Sequence, residues 1–139
     1  MTMYILAAAL LAQSLPATAG APVWERFGPP QRGMTFEVDA ANLARTGDRV
    51  SLRVRTVRAA PAEDGMSSAL AAFTIDCRAR TAHQEGIDLY RADGSFGRSL
   101  AGDDEPVRVS NDDPIQRALF ERACRPAAAA PAAAPPPGN

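Results

Sequence analysis

The chain has 139 residues, and its 15 Arg side chains against 16 Asp and Glu leave a formal net charge of −1. General nucleic-acid binding relies on an excess of basic charge that displaces counterions, so this balance excludes it. A second domain is excluded as well. Residues 23–125, which lie between an apolar N-terminal segment and an Ala- and Pro-rich C-terminal segment, have the most common size of a single domain.

The first 19 residues have the pattern of a secretory signal peptide. An apolar stretch from Tyr4 to Ala12 is followed by Ala17-Thr18-Ala19, which fits an A-x-A cleavage site. We therefore predict a mature chain that starts at Gly20 and is exported to the periplasm, the outer envelope or the medium. The apolar stretch is shorter than the roughly 20 residues of a membrane-spanning helix, so no transmembrane segment is expected in the mature chain. An uncleaved signal anchor is the alternative.

Alternating apolar and polar residues predict about six strands. The clearest alternation runs from Arg49 to Arg58, where Val50, Leu52 and Val54 share one face. The Asp93-Gly94 pair predicts a hairpin, and hence an antiparallel sheet. The predicted strands cover residues 23–27, 34–38, 49–58, 69–80, 86–90 and 96–100, and residues 39–45 are expected to form a short helical turn or an irregular link.

A short helix is predicted to follow the strands. Asp113 is suited to its N-cap and Pro114 to its first position. Ile115, Leu119 and Ala123 then lie on one broad apolar face, and Phe120 and Cys124 lie at the edge of that face. The thiol of Cys124 is therefore expected to reach the sheet.

The two cysteines predict a disulfide. Cys77 shares a strand face with Phe73 and Ile75, and Cys124 ends the helix, so both point toward the core. An even cysteine count in an exported chain favours a Cys77–Cys124 bond, whereas a zinc site lacks further Cys or His ligands. The predicted fold class is α+β, an antiparallel sheet of about six strands with a C-terminal helix tethered to it by the disulfide.

The domain is predicted to cover residues 23–125, and the tail after it has a different composition. Residues 126–139 are almost wholly Ala and Pro, which favours an extended, disordered segment acting as a spacer. A PxxP ligand is the alternative, although no basic residue flanks the prolines.

Four arginines are candidate binding residues. Arg53 and Arg55 alternate with the apolar residues of strand 49–58, and Arg78 and Arg80 occupy the polar positions of predicted strand 69–80. If these strands are neighbours, the four side chains form a basic patch suited to an anionic glycan, lipopolysaccharide phosphate or an acidic protein. The alternative is a solvated face whose charge is balanced by Asp76 and nearby acids.

Catalytic and metal-binding chemistry is not predicted. His83 is the single histidine, lies in a polar stretch and has no motif around it, so a surface role is expected. No serine has a nucleophile-elbow context. The acidic runs at residues 103–105 and 112–113 lack the spacing of a calcium loop and are interpreted as loop solvation and helix capping. We therefore predict no enzyme activity, no metal and no cofactor.

The ordered set of motifs resembles the surface-adhesin protein E-like domains of bacterial envelope proteins. The motifs are Trp24, Phe36-x-x-Asp39, Gly47-Asp48-x-Val50, Asp76-Cys77, Tyr90-x-x-Asp93-Gly94, Ser99 and a terminal helix that ends at Cys124. The resemblance implies an antiparallel sheet with a disulfide-tethered C-terminal helix, which agrees with the reading of the residues above. It also implies an adhesive role.

Two functions are consistent with these features. The first is an exported, non-enzymatic envelope or secreted protein that acts as a binding or adhesin-like module, with a host or envelope protein or an anionic glycan as its partner. The alternative is a periplasmic structural or assembly accessory protein. An exposed apolar or one-signed charged surface on the sheet would favour binding.

Overall fold

The computed structural model describes residues 20–126. The predicted signal peptide, and all but the first residue of the predicted tail, lie outside the described residues. No helix within residues 20–126 is long and apolar enough to cross a bilayer. The elements in chain order are β1 (Trp24–Arg26), β2 (Met34–Asp39), a 3-10 helix (Ala40–Asn42), β3 (Ala44–Thr46), β4 (Arg49–Arg58), β5 (Met66–Asp76), β6 (Thr81–Arg91), β7 (Phe96–Ala101), β8 (Val107–Arg108) and α1 (Pro114–Cys124).

The strands form one antiparallel sheet in the order β1-β2-β4-β5-β6-β7. Two short strands lie off this path, because β3 pairs with the start of β4 and β8 pairs with the start of β6. Gly94 has a φ of 83°, which suits it to the tight turn between β6 and β7. The predicted fold class and the predicted Asp-Gly hairpin are therefore confirmed, with eight strands in place of about six.

The bounds of two predicted strands differ from the observed bounds by several residues. The strand expected over residues 69–80 ends at Asp76, because the Asp76 carboxylate accepts hydrogen bonds from the backbone N–H groups of Arg78 at 3.0 Å and Ala79 at 2.8 Å. This bonding favours a turn over a continued ladder. Arg80 completes the turn with a φ of 56°, and β6 begins at Thr81, ahead of the predicted start at Gly86.

The core lies between α1 and the face of the sheet that we call the inner face. The period-two pattern of β4 places Val50, Leu52 and Val54 on this face, and all three are buried. The inner side of α1 contributes Leu119, Phe120 and Ala123, also buried. Burial of a large apolar side chain contributes about 1.5 to 3 kcal/mol, so these contacts are the main force that holds α1 on the sheet.

The N-terminal end of α1 is fixed by the predicted cap. The Asp113 carboxylate accepts hydrogen bonds from the backbone N–H of Ile115 at 2.9 Å and of Gln116 at 3.1 Å, and Pro114 occupies the first turn. These contacts satisfy donors that the helix itself leaves unpaired. Gly28 lies against this turn with a φ of 62°, and a Cβ added there would lie 3.2 Å from the Ala118 Cβ, so a side chain would crowd the helix.

The C-terminal end of α1 is attached to the sheet by three contacts. Cys77 and Cys124 form a disulfide with a Cα–Cα distance of 5.6 Å, as predicted. Arg45 on β3 donates to the backbone carbonyl oxygens of Ala123 at 2.6 Å and Arg125 at 2.8 Å, groups that a helix end leaves without partners.

The third contact joins α1 to the edge strand β1. The Arg122 guanidinium donates to the Glu25 carboxylate through Nε at 2.9 Å and through a terminal nitrogen at 3.3 Å. The hydrogen bond from Arg122 holds the pKa of Glu25 below its ordinary value and outweighs the opposing effect of burial. Glu25 is about half exposed, so this pair orients β1 more than it stabilises the fold.

Removing the disulfide should destabilise the domain. A Cys77→Ser variant is expected to lose about 2 to 4 kcal/mol in free energy of unfolding, because a cross-link across 47 residues restricts the denatured chain. Urea melts at pH 7 with and without reductant measure the loss. The Cys77→Ser/Cys124→Ser double variant should match the single variant, since both lack the same bond. Equal unfolding midpoints of the wild-type protein with and without reductant would contradict this prediction.

Candidate binding surface

The face of the sheet opposite α1, which we call the outer face, is the candidate binding surface. Within residues 20–126 the only α-helix packs on the inner face, so no α-helix covers the outer one. Strand register and side-chain alternation place a mixture of aromatic, charged and small residues there. They are Trp24, Glu37, Asp39, Arg53, Arg55, Leu70, Ala72, Asp88, Tyr90, Phe96 and Ser99.

Arg55 lies between an acidic and an aromatic neighbour. Glu37 and Arg55 are direct partners in the pairing of β2 with β4, and the guanidinium contacts the Glu37 carboxylate at 2.7 Å through Nε and 2.6 Å through a terminal nitrogen. The same guanidinium lies over the Trp24 ring, 4.4 Å from its centroid. Since a cation over an indole face is attracted by the ring quadrupole, the three side chains form one contiguous cluster.

Asp39 is a carboxylate with no solvent exposure at the end of β2. It accepts hydrogen bonds from Arg53 at 2.6 Å, from the Asn42 side-chain amide at 2.8 Å and from the backbone N–H of Val23 at 3.2 Å. Burial raises the pKa of Asp39, but the bonds from Arg53, Asn42 and Val23 together outweigh burial and hold that pKa below its ordinary value. Asp39 is therefore ionised at neutral pH and joins the start of the domain to β4.

The far side of the outer face is aromatic. Tyr90 on β6 and Phe96 on β7 meet edge to face, with ring centroids 6.0 Å apart and an interplanar angle of 77°. Phe96 is 55% exposed, which is unusual for an aromatic ring. Beside them, the Ser99 hydroxyl donates to the Asp88 carboxylate at 2.5 Å.

The four predicted arginines do not lie together on one pair of strands. Arg53 and Arg55 are on the outer face as expected, and each has a carboxylate partner. Arg78 is exposed in the turn after β5. Arg80 is directed toward the helix side, where its guanidinium lies 4.3 Å from the Phe120 ring centroid and donates to the Asn111 side chain at 2.8 Å. Placing Arg78 and Arg80 on a strand was therefore wrong, because the Asp76 turn ends β5 before them. Whether the four residues bind a partner stays a prediction.

The remaining candidate groups have structural roles. The His83 Nε2 lies 3.0 Å from the backbone carbonyl oxygen of Asp103, and the Asp103 carboxylate accepts from the backbone N–H of Gln84 at 3.1 Å. Asp113 caps α1, as predicted from sequence. In the part of the chain that the structure describes, no three His, Cys, Asp or Glu side chains are grouped as metal ligands.

Asp39 is the residue whose role the sequence analysis missed. An Asp at the end of a strand, followed by a turn, is normally solvent-exposed, and nothing in its local pattern indicates complete burial. The signal that could have identified this role is the register between β2 and β4. Pairing Glu37 with Arg55 places Asp39 opposite Arg53, but this pairing can be derived only when β2 and β4 are known to be neighbours.

An Asp39→Ala variant should lose about 2 to 3 kcal/mol of stability at pH 7, because three donors are left without their acceptor. The folded pKa of Asp39 is depressed, so its contribution is full above the unfolded value of about 3.9 and disappears as the pH falls through the folded value. The difference between variant and wild type should therefore shrink below about pH 4. Urea melts across pH 3 to 7 test this.

The matched control is Asp64→Ala, which removes an Asp–Arg pair whose two side chains are 39% and 53% exposed. Its effect on stability should be much smaller than that of Asp39→Ala, because solvent screens the pair. Equal losses from the two variants would contradict a special role for the buried carboxylate.

Comparison with known proteins places this architecture in a family. The family model described as Surface-adhesin protein E matches residues 24–125. Two chains of solved structures match, including Haemophilus influenzae protein E in its crystal form II, with 12% sequence identity, a TM-score of 0.52, and coverage of 78% of this chain and 96% of that chain. At this identity the likeness concerns the fold alone. No curated protein matches the chain. Since the family model covers most of its length, the chain belongs to the Surface-adhesin protein E family.

Proposed function

We propose that this protein is an exported, non-catalytic binding module that contacts its partner through the outer face. The observation that carries the proposal is the position of two aromatic residues. Trp24 is the only Trp of the chain, and Tyr90 is the only Tyr outside the predicted signal peptide. Both lie half-buried on the outer face, Trp24 in contact with Arg55 and Tyr90 two strands further along the sheet. Trp, Tyr and Arg are the residue types that dominate binding energy at protein interfaces.

The chemistry of this face suits a partner that combines flat rings with negative charge. An indole, a phenol and two guanidiniums offer planar surfaces for stacking, and guanidiniums bind oxyanions through paired hydrogen bonds. Arg53 and Arg55 remain 38% and 36% exposed while paired with their carboxylates. An anionic glycan, or an acidic protein of the host or envelope, would share their free N–H groups. Their Asp39 and Glu37 partners balance the charge, so the salt dependence of binding should be moderate.

The disulfide bond supports export of the protein. A disulfide at the attachment point of α1 requires an oxidising compartment, such as the periplasm, the outer envelope or the medium. Membership of a surface-adhesin family agrees with an exported role at or beyond the outer envelope.

Heparin is a suitable probe of anionic-glycan binding, and Trp24 is a built-in reporter because no other Trp contributes to the signal. Titration of the processed chain at low salt should change the Trp24 fluorescence and saturate. The Arg53→Gln/Arg55→Gln variant should bind more weakly, with a log–log salt slope reduced by about one for each lost contact. The same titration of Arg78→Gln/Arg80→Gln tests the other half of the sequence-predicted patch.

The control for the heparin experiment is Arg117→Gln/Arg125→Gln, which removes two exposed charges at α1, on the opposite side of the sheet from the outer face. It should bind heparin like wild type. Binding that leaves Trp24 fluorescence unchanged would place the contact elsewhere. If wild type shows no salt-dependent binding at all, the anionic partner is wrong, and a periplasmic accessory role becomes the better hypothesis.

Processing is the second test of the proposal. We expect signal peptidase to cut after Ala19, because Ala17 and Ala19 offer the small side chains that the enzyme requires. Intact-mass measurement of the exported protein should therefore give a chain that starts at Gly20. Recovery of the full amino terminus in the membrane fraction would instead indicate an anchored protein. An Ala19→Arg variant should block the cleavage, and Thr18→Ser, at a position the enzyme does not read, should not.

A further inference from the structure

A large apolar space lies between α1 and the inner face of the sheet. Its volume is about 400 Å³, and most of its lining is apolar, including Phe27, Phe36, Phe73, Ile87 and Ile115. Protein interiors are close-packed and seldom leave voids larger than a water molecule. A space of this size is in the range of small-molecule binding sites, so it can accommodate a ligand.

This space continues along the inner face beyond the helix. A second cavity of about 200 Å³ is lined by Met34, Met66 and Leu89, and the side chains of Thr56 and Ala69 line both cavities. We call the joined space the inner channel. Its lining follows β5 from Ile75 to Met66, which corresponds to about 30 Å of strand. The channel is therefore long and narrow, and its walls fit a linear chain better than a compact ring system.

The two ends of the inner channel differ in charge. At the far end, Arg58 is exposed and lines the second cavity, and its Nε donates to the backbone carbonyl oxygen of Ala60 at 3.4 Å. Across residues 20–126 no carboxylate forms an ion pair with Arg58, whereas Asp64 in the same cavity is paired with Arg98. At the helix end, the lining includes Asp103, whose carboxylate accepts a hydrogen bond from the backbone N–H of Gln84, another lining residue.

We propose that the inner channel binds one long-chain fatty acid. The acyl chain lies between α1 and the inner residues of β4, β5 and β6, where it removes apolar surface from water. The carboxylate lies at Arg58, which supplies a charge-assisted hydrogen bond. Asp103 at the opposite end repels a carboxylate, so the charges of the channel select one orientation of the ligand. This site is on the opposite side of the sheet from the outer face and is independent of the adhesive proposal.

The test uses the processed, disulfide-bonded chain after extraction of lipid. Palmitate should bind with a stoichiometry of one and should displace a dansyl-labelled undecanoic acid, with a loss of dansyl fluorescence. Ala69→Phe places a ring where the two cavities join, and it should weaken palmitate binding at least tenfold. Ala72→Phe is the matched control, because it adds the same ring to the same strand on the outer face, and its affinity should equal that of wild type.

A second variant keeps the test decisive if Ala69→Phe does not fold. Arg58→Gln changes an exposed side chain, and it should weaken palmitate binding about tenfold while leaving hexadecanol binding unchanged, because only palmitate carries the negative charge. Arg49→Gln, at the other end of β4 and also exposed, should alter neither.

Three results would overturn the proposal. The first is the absence of saturable palmitate binding to wild type, and the second is equal palmitate affinity for wild type and Ala69→Phe. The third is a wild-type dimer in sedimentation that Ala69→Phe, but not Ala72→Phe, converts to monomer, since that would assign the channel to a second copy of the chain.

Discussion

The attachment of the C-terminal end of α1 to the sheet is the constraint on which the rest of the structure depends. A helix of 11 residues is marginal by itself in water, so its stability comes from the surface against which it packs. The Cys77–Cys124 bond and the hydrogen bonds from Arg45 hold one end of this helix at a fixed place on the inner face. With the helix confined to that side, no α-helix within residues 20–126 lies over the outer face. The two faces are thus free to serve different purposes.

Each strand contributes to both faces of the sheet, because its side chains point alternately to the inner and the outer side. On β4, Val54 and Thr56 face the inner channel, while Arg53 and Arg55 face outward and are held by the acids of β2. The outer residues do not compete with the core for space, because a strand directs successive side chains to opposite faces. Asp39 extends this arrangement to the edge of the sheet. By binding Val23 and Arg53 at once, its buried charge fixes the segment that presents Trp24.

Sequence reasoning succeeded where the local pattern and the final packing agree. The bounds of β4 at Arg49–Arg58 follow from strict alternation, and the start of α1 follows from Asp113 and Pro114, whose roles need no knowledge of the fold. The disulfide was predictable for the same reason, since compartment and residue placement pointed to one pairing.

It failed where an unmarked local turn or long-range pairing decides the outcome. The turn after Asp76 contains no Gly, Pro or Asn and depends on an Asp side chain and a positive φ at Arg80, so nothing marked the end of β5. The strands β3 and β8, with three and two residues, are too short for a periodic signal and exist because β4 and β6 offer them partners. The ion pairs of the outer face needed the register for the same reason.

The shape of the inner channel follows from how large and small residues are distributed along the sheet. Near the disulfide, Val50 and Ile75 fill the inner face and are almost completely buried. Beyond Phe73 the inner positions of β5 are Ala71 and Ala69, whose methyl groups fill little of the space between the sheet and the helix. The disulfide holds α1 at the tightly packed end and Gly28 packs against its first turn, so the position of the helix is set by contacts outside the stretch that contains the alanines. The channel therefore follows from a helix held by contacts at both ends, above a strand that places two alanines between the larger side chains of Phe73 and Met66.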